Sequence, residues 1–441
     1  MQRRVVITGL GVVAPNGIGK ENFWSACISG RSGIRRVTHF DASPLPTRIA
    51  GEVADFDPEA FGITRGDVLH TDRNTQFALA AANLALEDAG LLLTGDRKGP
   101  YSTSTPLPPL REAERDQMGV YIGSAMASIT AGEQLWRQVT GRGAHSPRDT
   151  MNGMVPVTLL STNAPAAAIA AHHQLHGPCM VIATGCSAGA DAIGEAFWAI
   201  QEGQADCMLA GGADSAINYG GFAAFCVLGA MSTRNEEPES ASCPYDRRRD
   251  GFVMAEGAGV VVLEERERAL ARNARIYAEM IVFVSNSNSH HMTALPPDGA
   301  PLQQLIRQAL DETGITPTQL GYINSHGSST PTNDIVETAA YKAVFGEYAY
   351  RIPISATKSM IGHTQGAASA IETVVTALVL ERQVIPPTIN QRYPDPLCDL
   401  DYVPNIARRA TIDVALTHSS GFGGVNNLLI LSRADWREKQ T

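Results

Sequence analysis

The sequence predicts an α/β fold built by internal duplication, and three observations carry that prediction. The 441 residues are 44% hydrophobic and only 18% charged, with 41 glycines, which suits a compact α/β core and not a disordered or coiled-coil chain. Apolar runs of strand length alternate with helical patterns. Three short matches also recur in the same order. ALEDAG at Ala85–Gly90 pairs with ALDETG at Ala309–Gly314, MGVYIGS at Met118–Ser124 with LGYINSH at Leu320–His326, and GCSAGA at Gly185–Ala190 with GHTQGA at Gly362–Ala367. Each match is weak alone in an Ala/Gly-rich chain; their shared order is the signature of a repeat.

Taken in order, Val5–Thr8 reads as a buried strand running into the loop GLGVVAPNG. Gly9 and Gly11 imitate a dinucleotide-binding loop, but Pro15 falls where its helix would run and no acidic residue follows at the required distance. Asn74–Ala89 predicts a helix stopped by Gly90. A Pro-rich excursion, near 93–117, follows and is expected to lack a fold of its own. Gly90 and Gly119 stand much further apart than Gly314 and Gly321, so the excursion is an insertion in one copy. Met180–Ala183 reads as a buried strand and Ser187–Gln201 as a helix ending at Gly203. Both copies close in a buried strand, Gly259–Glu264 and Leu428–Ser432. The halves are expected at 1–265 and 266–441, divided in the charged run Glu265–Arg275.

The net charge of −10 argues against nucleic acid as the main partner. Seven scattered cysteines show neither a disulfide framework nor metal-type pairing, and a reducing cytoplasm is expected. No apolar run reaches the length of a membrane span, and the glycine-broken start reads as a first strand, not a signal peptide.

Gly185 permits a sharp turn that places Cys186 at the amino end of a helix. There it is expected to be exposed, with its thiol pKa lowered by free N–H groups and the helix dipole, as a nucleophile requires. The repeat sets His363 opposite Cys186 and His326 in a loop after another strand of the second copy. Sites in open α/β sheets form beyond the carboxyl ends of strands, so two facing halves bring Cys186, His326 and His363 into one pocket. Singly, each has a plainer reading. Cys186 reads as an inert core thiol, and His326 as part of a helix start capped by Thr330 and Pro331. Lys358 and Glu372, flanking His363, read as an ion pair at a helix start. His290–His291 and His172–His173 lack metal-ligand spacing, and no metal is expected. GCSAG also reads as the G-x-S-x-G elbow of an α/β-hydrolase with Ser187 as nucleophile, which explains neither the duplication nor KSMIGH.

Together these stretches resemble the β-ketoacyl-acyl-carrier-protein synthases, elongating class, of the synthase II type. The resemblance runs from VVITGLGVVAPNG to GFGGVNNLLIL through GCSAG, the HG.STP.ND pattern at His326, KSMIGH (Lys358–His363) and PPTIN (Pro386–Asn390). It implies a thiolase-like fold, two αβα-type halves packed as a layered α-β-α-β-α core. It also implies decarboxylative condensation of a Cys186-bound acyl group with malonyl thioester, substrates carried on the phosphopantetheine of an acyl carrier protein, no resident cofactor, and a homodimer. His326 and His363 would donate hydrogen bonds to the thioester oxygen, Lys358 would support them electrostatically with Glu372 as partner, and Ser328 and Thr330 would assist. Phe422 would act as gate and, with the Cys186 N–H, as oxyanion hole; Met126 would line the acyl channel. Retention of Cys186 separates the chain from non-catalytic chain-length-factor subunits, the other reading kept open.

Some positions depart from that resemblance. Gly185 stands for alanine, Ser328–Ser329 for Thr-Gly, Ser420 for phenylalanine, and Ala127–Ser128 for glycines. The stretch Arg65–Asp72 lacks most of the cations that dock an acidic carrier, with Arg234, Arg247, Arg248 and Arg249 as candidate substitutes. These departures suggest a specialised synthase.

Overall fold

The computed structural model describes residues 3–91, 112–144 and 161–439. Its centre is an eleven-stranded sheet. The principal elements are β1 (Val5–Ala14), α1 (Arg73–Asp88), β2 (Met118–Gly123), α2 (Ala164–His173), β3 (Cys179–Ile182), α3 (Ala188–Gln201), β4 (Cys207–Asp214) and β5 (Gly257–Glu265), then β6 (Ala278–Ser287), α4 (Ala300–Thr313), β7 (Tyr322–Asn324), α5 (Asn333–Phe345), β8 (Ile354–Ser355), α6 (Ala368–Arg382), β9 (Val414–Ser420) and β10 (Val425–Ser432). A short strand, Gly17–Ile18, pairs back on β1.

Strand order states the duplication directly. The first half runs β3-β2-β4-β5-β1 and the second β8-β7-β9-β10-β6. In both, the first three strands are parallel and the last two antiparallel. The halves join where β1 meets β6, Val5 opposite Met280. α3 and α6 lie between the two half-sheets and are buried nearly all round, as a helix without a polar face must be. α1 and α2 cover the outside of the first half, α4 and α5 the second. The result is the layered α-β-α-β-α architecture of the thiolase fold, with one apolar cluster spanning both halves through α3 and α6.

Four local expectations change. Gly9 and Gly11 lie inside β1, not in a loop; a Cβ at either would fall 2.2 Å from the Ala85 carbonyl oxygen or 1.8 Å from that of Ala81. Their role is to let α1 lie directly on the strand. β3 is an edge strand, half-exposed with Met180 42% accessible, where the apolar run predicts a buried one. Most of the Pro-rich stretch falls outside the described residues, and its end, Glu112–Asp116, is a short helix.

The copies also align differently. Thr184 and Thr364 precede equivalent 3-10 turns, Gly185–Ser187 and Gln365–Ala367, which lead into α3 and α6. Cys186 therefore matches Gly366, and His363 stands just ahead of the turn. The glycine-to-glycine alignment slips because the left-handed position filled by Gly185 (φ 67°) is filled by Gln365 (φ 54°) in the second copy.

Candidate active site

Each chemical group sits beyond the carboxyl end of a strand, as the doubly wound topology dictates. Cys186 lies on the turn after β3, entering α3. A Cβ at Gly185 would stand 3.0 Å from the Phe422 carbonyl oxygen at φ 67°, so glycine is what lets the β9–β10 turn approach the thiol. The Phe422 and Cys186 N–H groups both reach the sulfur, the arrangement of an oxyanion hole. Cys186 is nonetheless only 7% exposed. Burial pushes its thiol up to about 11, outweighing the two N–H groups and the charge of Lys358. The expected exposed, acidified cysteine is thus a buried one held protonated at rest.

His326 follows β7 and His363 precedes the turn into α6. Their ring centroids are 5.5 Å apart. Backbone N–H groups donate to both Nδ1 atoms, Ser420 to His326 at 3.4 Å and Gln365 to His363 at 3.1 Å. Each neutral ring therefore carries its proton on Nε2. Burial, and then the charge of Lys358, hold both rings well below the usual histidine range. The pair is a preset double donor. One cavity of about 350 Å³ is lined by Cys186, His326, His363, Ser328, Thr330 and Phe422, with Ser328 and Thr330 hydroxyls 3.0 Å apart.

Lys358 is 1% exposed, ion-paired with Glu372, and donates to the His326 carbonyl oxygen at 2.9 Å. Burial pushes Glu372 up to about 7 against the pull of Lys358. Phe422 is 37% exposed and stacks on Phe225, centroids 6.3 Å apart. Met126 does not line this cavity; it packs in an adjoining apolar cluster with Phe222 and Phe252, and Phe252 forms the wall shared with the cavity. Ser187 is fully buried and donates to the Thr184 carbonyl at 2.8 Å, so the hydrolase reading loses its nucleophile.

Glu337 went unmarked in the sequence. Its carboxylate accepts from the N–H groups of His326 (2.8 Å) and Gly327 (3.1 Å) and from Tyr245 Oη (2.8 Å), fixing the loop that carries the first imidazole. The only signal was its place one turn beyond Asn333 in α5. Arg249, offered as a carrier-docking cation, is instead buried against Asp395 (2.7 Å) and Asp334 (3.8 Å). Arg248 is partly exposed and stacks on Tyr393, 3.7 Å from its centroid.

The model of the β-ketoacyl synthase N-terminal domain matches residues 2–269, and that of the C-terminal domain residues 277–392. A 3-oxoacyl-[acyl-carrier-protein] synthase 2 of Coxiella burnetii is 41% identical over 98% of this chain and 99% of its own. A putative polyketide beta-ketoacyl synthase 1 of Streptomyces halstedii is 42% identical over 99% of this chain and all (100%) of its own. Among solved structures, a ketosynthase bound to a type II polyketide acyl-carrier protein superposes with a TM-score of 0.87 at 37% identity, covering 99% of this chain and 100% of that one. With both domain models matched and full-length relatives at this identity, the chain belongs to the β-ketoacyl synthase family.

Proposed function

We propose that this protein is a condensing acyltransferase that joins an acyl group held on Cys186 to malonyl-acyl carrier protein by decarboxylative Claisen condensation, in fatty-acid or polyketide-like chain elongation. The observation that carries the reading is the shared cavity: one nucleophilic sulfur facing two N–H groups, beside two imidazoles that line the same cavity and whose Nδ1 atoms both accept backbone N–H groups.

The steps follow from the geometry. The Cys186 sulfur attacks the acyl thioester carbonyl, the Phe422 and Cys186 N–H groups hold the developing oxyanion, and the departing carrier thiol takes the thiol's proton. Malonyl thioester then enters. His326 and His363 donate to its thioester oxygen, where charge builds as carbon dioxide leaves, so they stabilise the enolate more than the ground state. The enolate carbon attacks the acyl-cysteine, the Cys186 sulfur departs as a thiolate that takes a proton from water to restore the resting thiol, and 3-ketoacyl remains on the carrier. Lys358 and Glu372 hold the His326 loop, Phe422 gates the entrance, and Met126 borders the acyl side. No step calls on a resident metal or cofactor.

A homodimer is supported by the half-exposed edge strand β3, whose unpaired side offers a template for a second copy. Seven free cysteines fit a cytoplasmic setting; among the described residues no helix is long and apolar enough to cross a membrane. Intact-mass measurement after incubation with an acyl carrier tests the reading: an acyl adduct confined to Cys186 supports it, and an unmodified protein refutes it.

A further inference from the structure

We infer that His418, which takes no part in the steps above, is a positioning residue that aligns the His326 imidazole for decarboxylation by donating a hydrogen bond to Glu337. The inference rests on the proposed function and adds a residue to its machinery.

His418 lies near the carboxyl end of β9 and is buried. Its Nε2 is 2.6 Å from Glu337 Oε1 and 2.6 Å from Tyr341 Oη, and the Tyr341 hydroxyl donates to that same carboxylate oxygen at 3.0 Å. Nδ1 has no hydrogen-bond partner among the described residues, so Nε2 is the nitrogen that presents a proton to the carboxylate. Glu337 Oε1 is also the atom that accepts the His326 N–H at 2.8 Å. The His418 ring and the backbone of the first imidazole therefore share one acceptor. The same strand end reaches His326 a second time. Ser419 Oγ lies 3.2 Å from His326 Nδ1 and donates to the Cys186 carbonyl at 3.4 Å, and the Ser420 N–H donates to His326 Nδ1 at 3.4 Å. Three consecutive residues of β9 thus set one imidazole, Ser419 and Ser420 through its ring and His418 through its backbone. Burial works to raise the Glu337 carboxyl, and His418 is the foremost group opposing it, leaving the carboxyl below its usual range. Without His418, Glu337 would take up a proton more readily. Its O–H would then face the His326 and Gly327 N–H donors, the loop would lose an acceptor, and the ring would drift from the place where it meets the thioester oxygen.

The test compares two rates in each full-length variant: carbon dioxide release from malonyl carrier, which needs His326, and acylation of Cys186, whose oxyanion donors are backbone N–H groups. Their ratio cancels any loss of folded protein. His418→Leu removes the donor, His418→Asn keeps a small amide that falls short of Glu337, and His418→Gln places an amide N–H near the Nε2 position. The first two should lower the decarboxylation-to-acylation ratio about tenfold, the worth of one hydrogen bond, and His418→Gln should restore most of it. Added to Glu337→Gln, His418→Leu should lower the ratio no further, because its effect runs through that carboxylate. A ratio unchanged in both His418→Leu and His418→Asn, no recovery with His418→Gln, or a further loss of about tenfold in the double variant would overturn the inference while leaving the condensing function intact. Wild-type protein that neither takes an acyl group on Cys186 nor releases carbon dioxide would overturn both.

Discussion

The Lys358 ammonium lies 2.9 Å from the carbonyl oxygen of His326, and its charge is matched by Glu372 beneath it. One fully buried cation thereby holds the backbone of one catalytic imidazole and opposes protonation of both rings. Glu372 has its second oxygen unpaired and is pushed up to about 7 by burial, so it can neutralise itself by taking a proton; the ammonium has no such easy exit.

The two partners should therefore differ under mutation. Glu372→Leu strands a buried ammonium and should cost ~3–5 kcal/mol in denaturant unfolding. Lys358→Met should cost less. Its deficit should grow as pH rises above 7: there the wild-type carboxyl, held down by Lys358, has ionised and its stability levels off, whereas without the ammonium burial raises the carboxyl further and the variant goes on losing stability. Equal losses at all pH values would contradict this view of the pair.

His326→Ala and His363→Ala should each slow decarboxylation of malonyl carrier by about 10²–10³-fold, the usual consequence of deleting one donor to a developing oxyanion. Acylation of Cys186 should survive in both, since its oxyanion donors are backbone N–H groups. A variant that loses acylation and keeps decarboxylation would reverse the roles assigned.

Because burial pushes the Cys186 thiol up to about 11, its thiolate fraction rises about tenfold per pH unit below that value. Alkylation by iodoacetamide, followed at Cys186 by peptide mass, should accelerate at that rate between about pH 7 and about pH 9. No inflection is expected near 6.5, since both histidines stay neutral there. A plateau across that range would mean a preformed thiolate.

The fold was legible in the sequence because the duplication left three ordered matches, and a doubly wound half confines its chemistry to strand ends. Cys186, His326 and His363 were legible for the same reason, whereas the role of Lys358 was carried by the resemblance of KSMIGH alone. What escaped was set by long-range packing. No local pattern shows that the thiol lies beneath the Phe422 turn, or that β3 is an edge strand. The glycine alignment slipped at Gln365 because a side chain there occupies a backbone conformation that usually belongs to glycine. Glu337 was hidden inside a helix whose buried face carries its meaning only once His326 folds over it.

Ala127 at φ 49° and Ser329 at φ 66° are among the other side chains that occupy left-handed positions. Ala127→Gly should raise stability by up to ~1 kcal/mol, as relief of backbone strain exceeds the entropy cost of glycine. Ser329→Gly should gain less or lose, because the Ser329 hydroxyl accepts the buried Cys243 N–H at 2.9 Å. Differential scanning calorimetry of the pair checks the order.

The most direct measurement starts from protein already acylated on Cys186 and adds malonyl carrier in a single turnover. Loss of the Cys186 adduct should match, mole for mole, the carbon dioxide released and the 3-ketoacyl carrier formed. Carbon dioxide release with the adduct still on the sulfur, or an adduct lost only as free acid, would contradict condensation at this cavity.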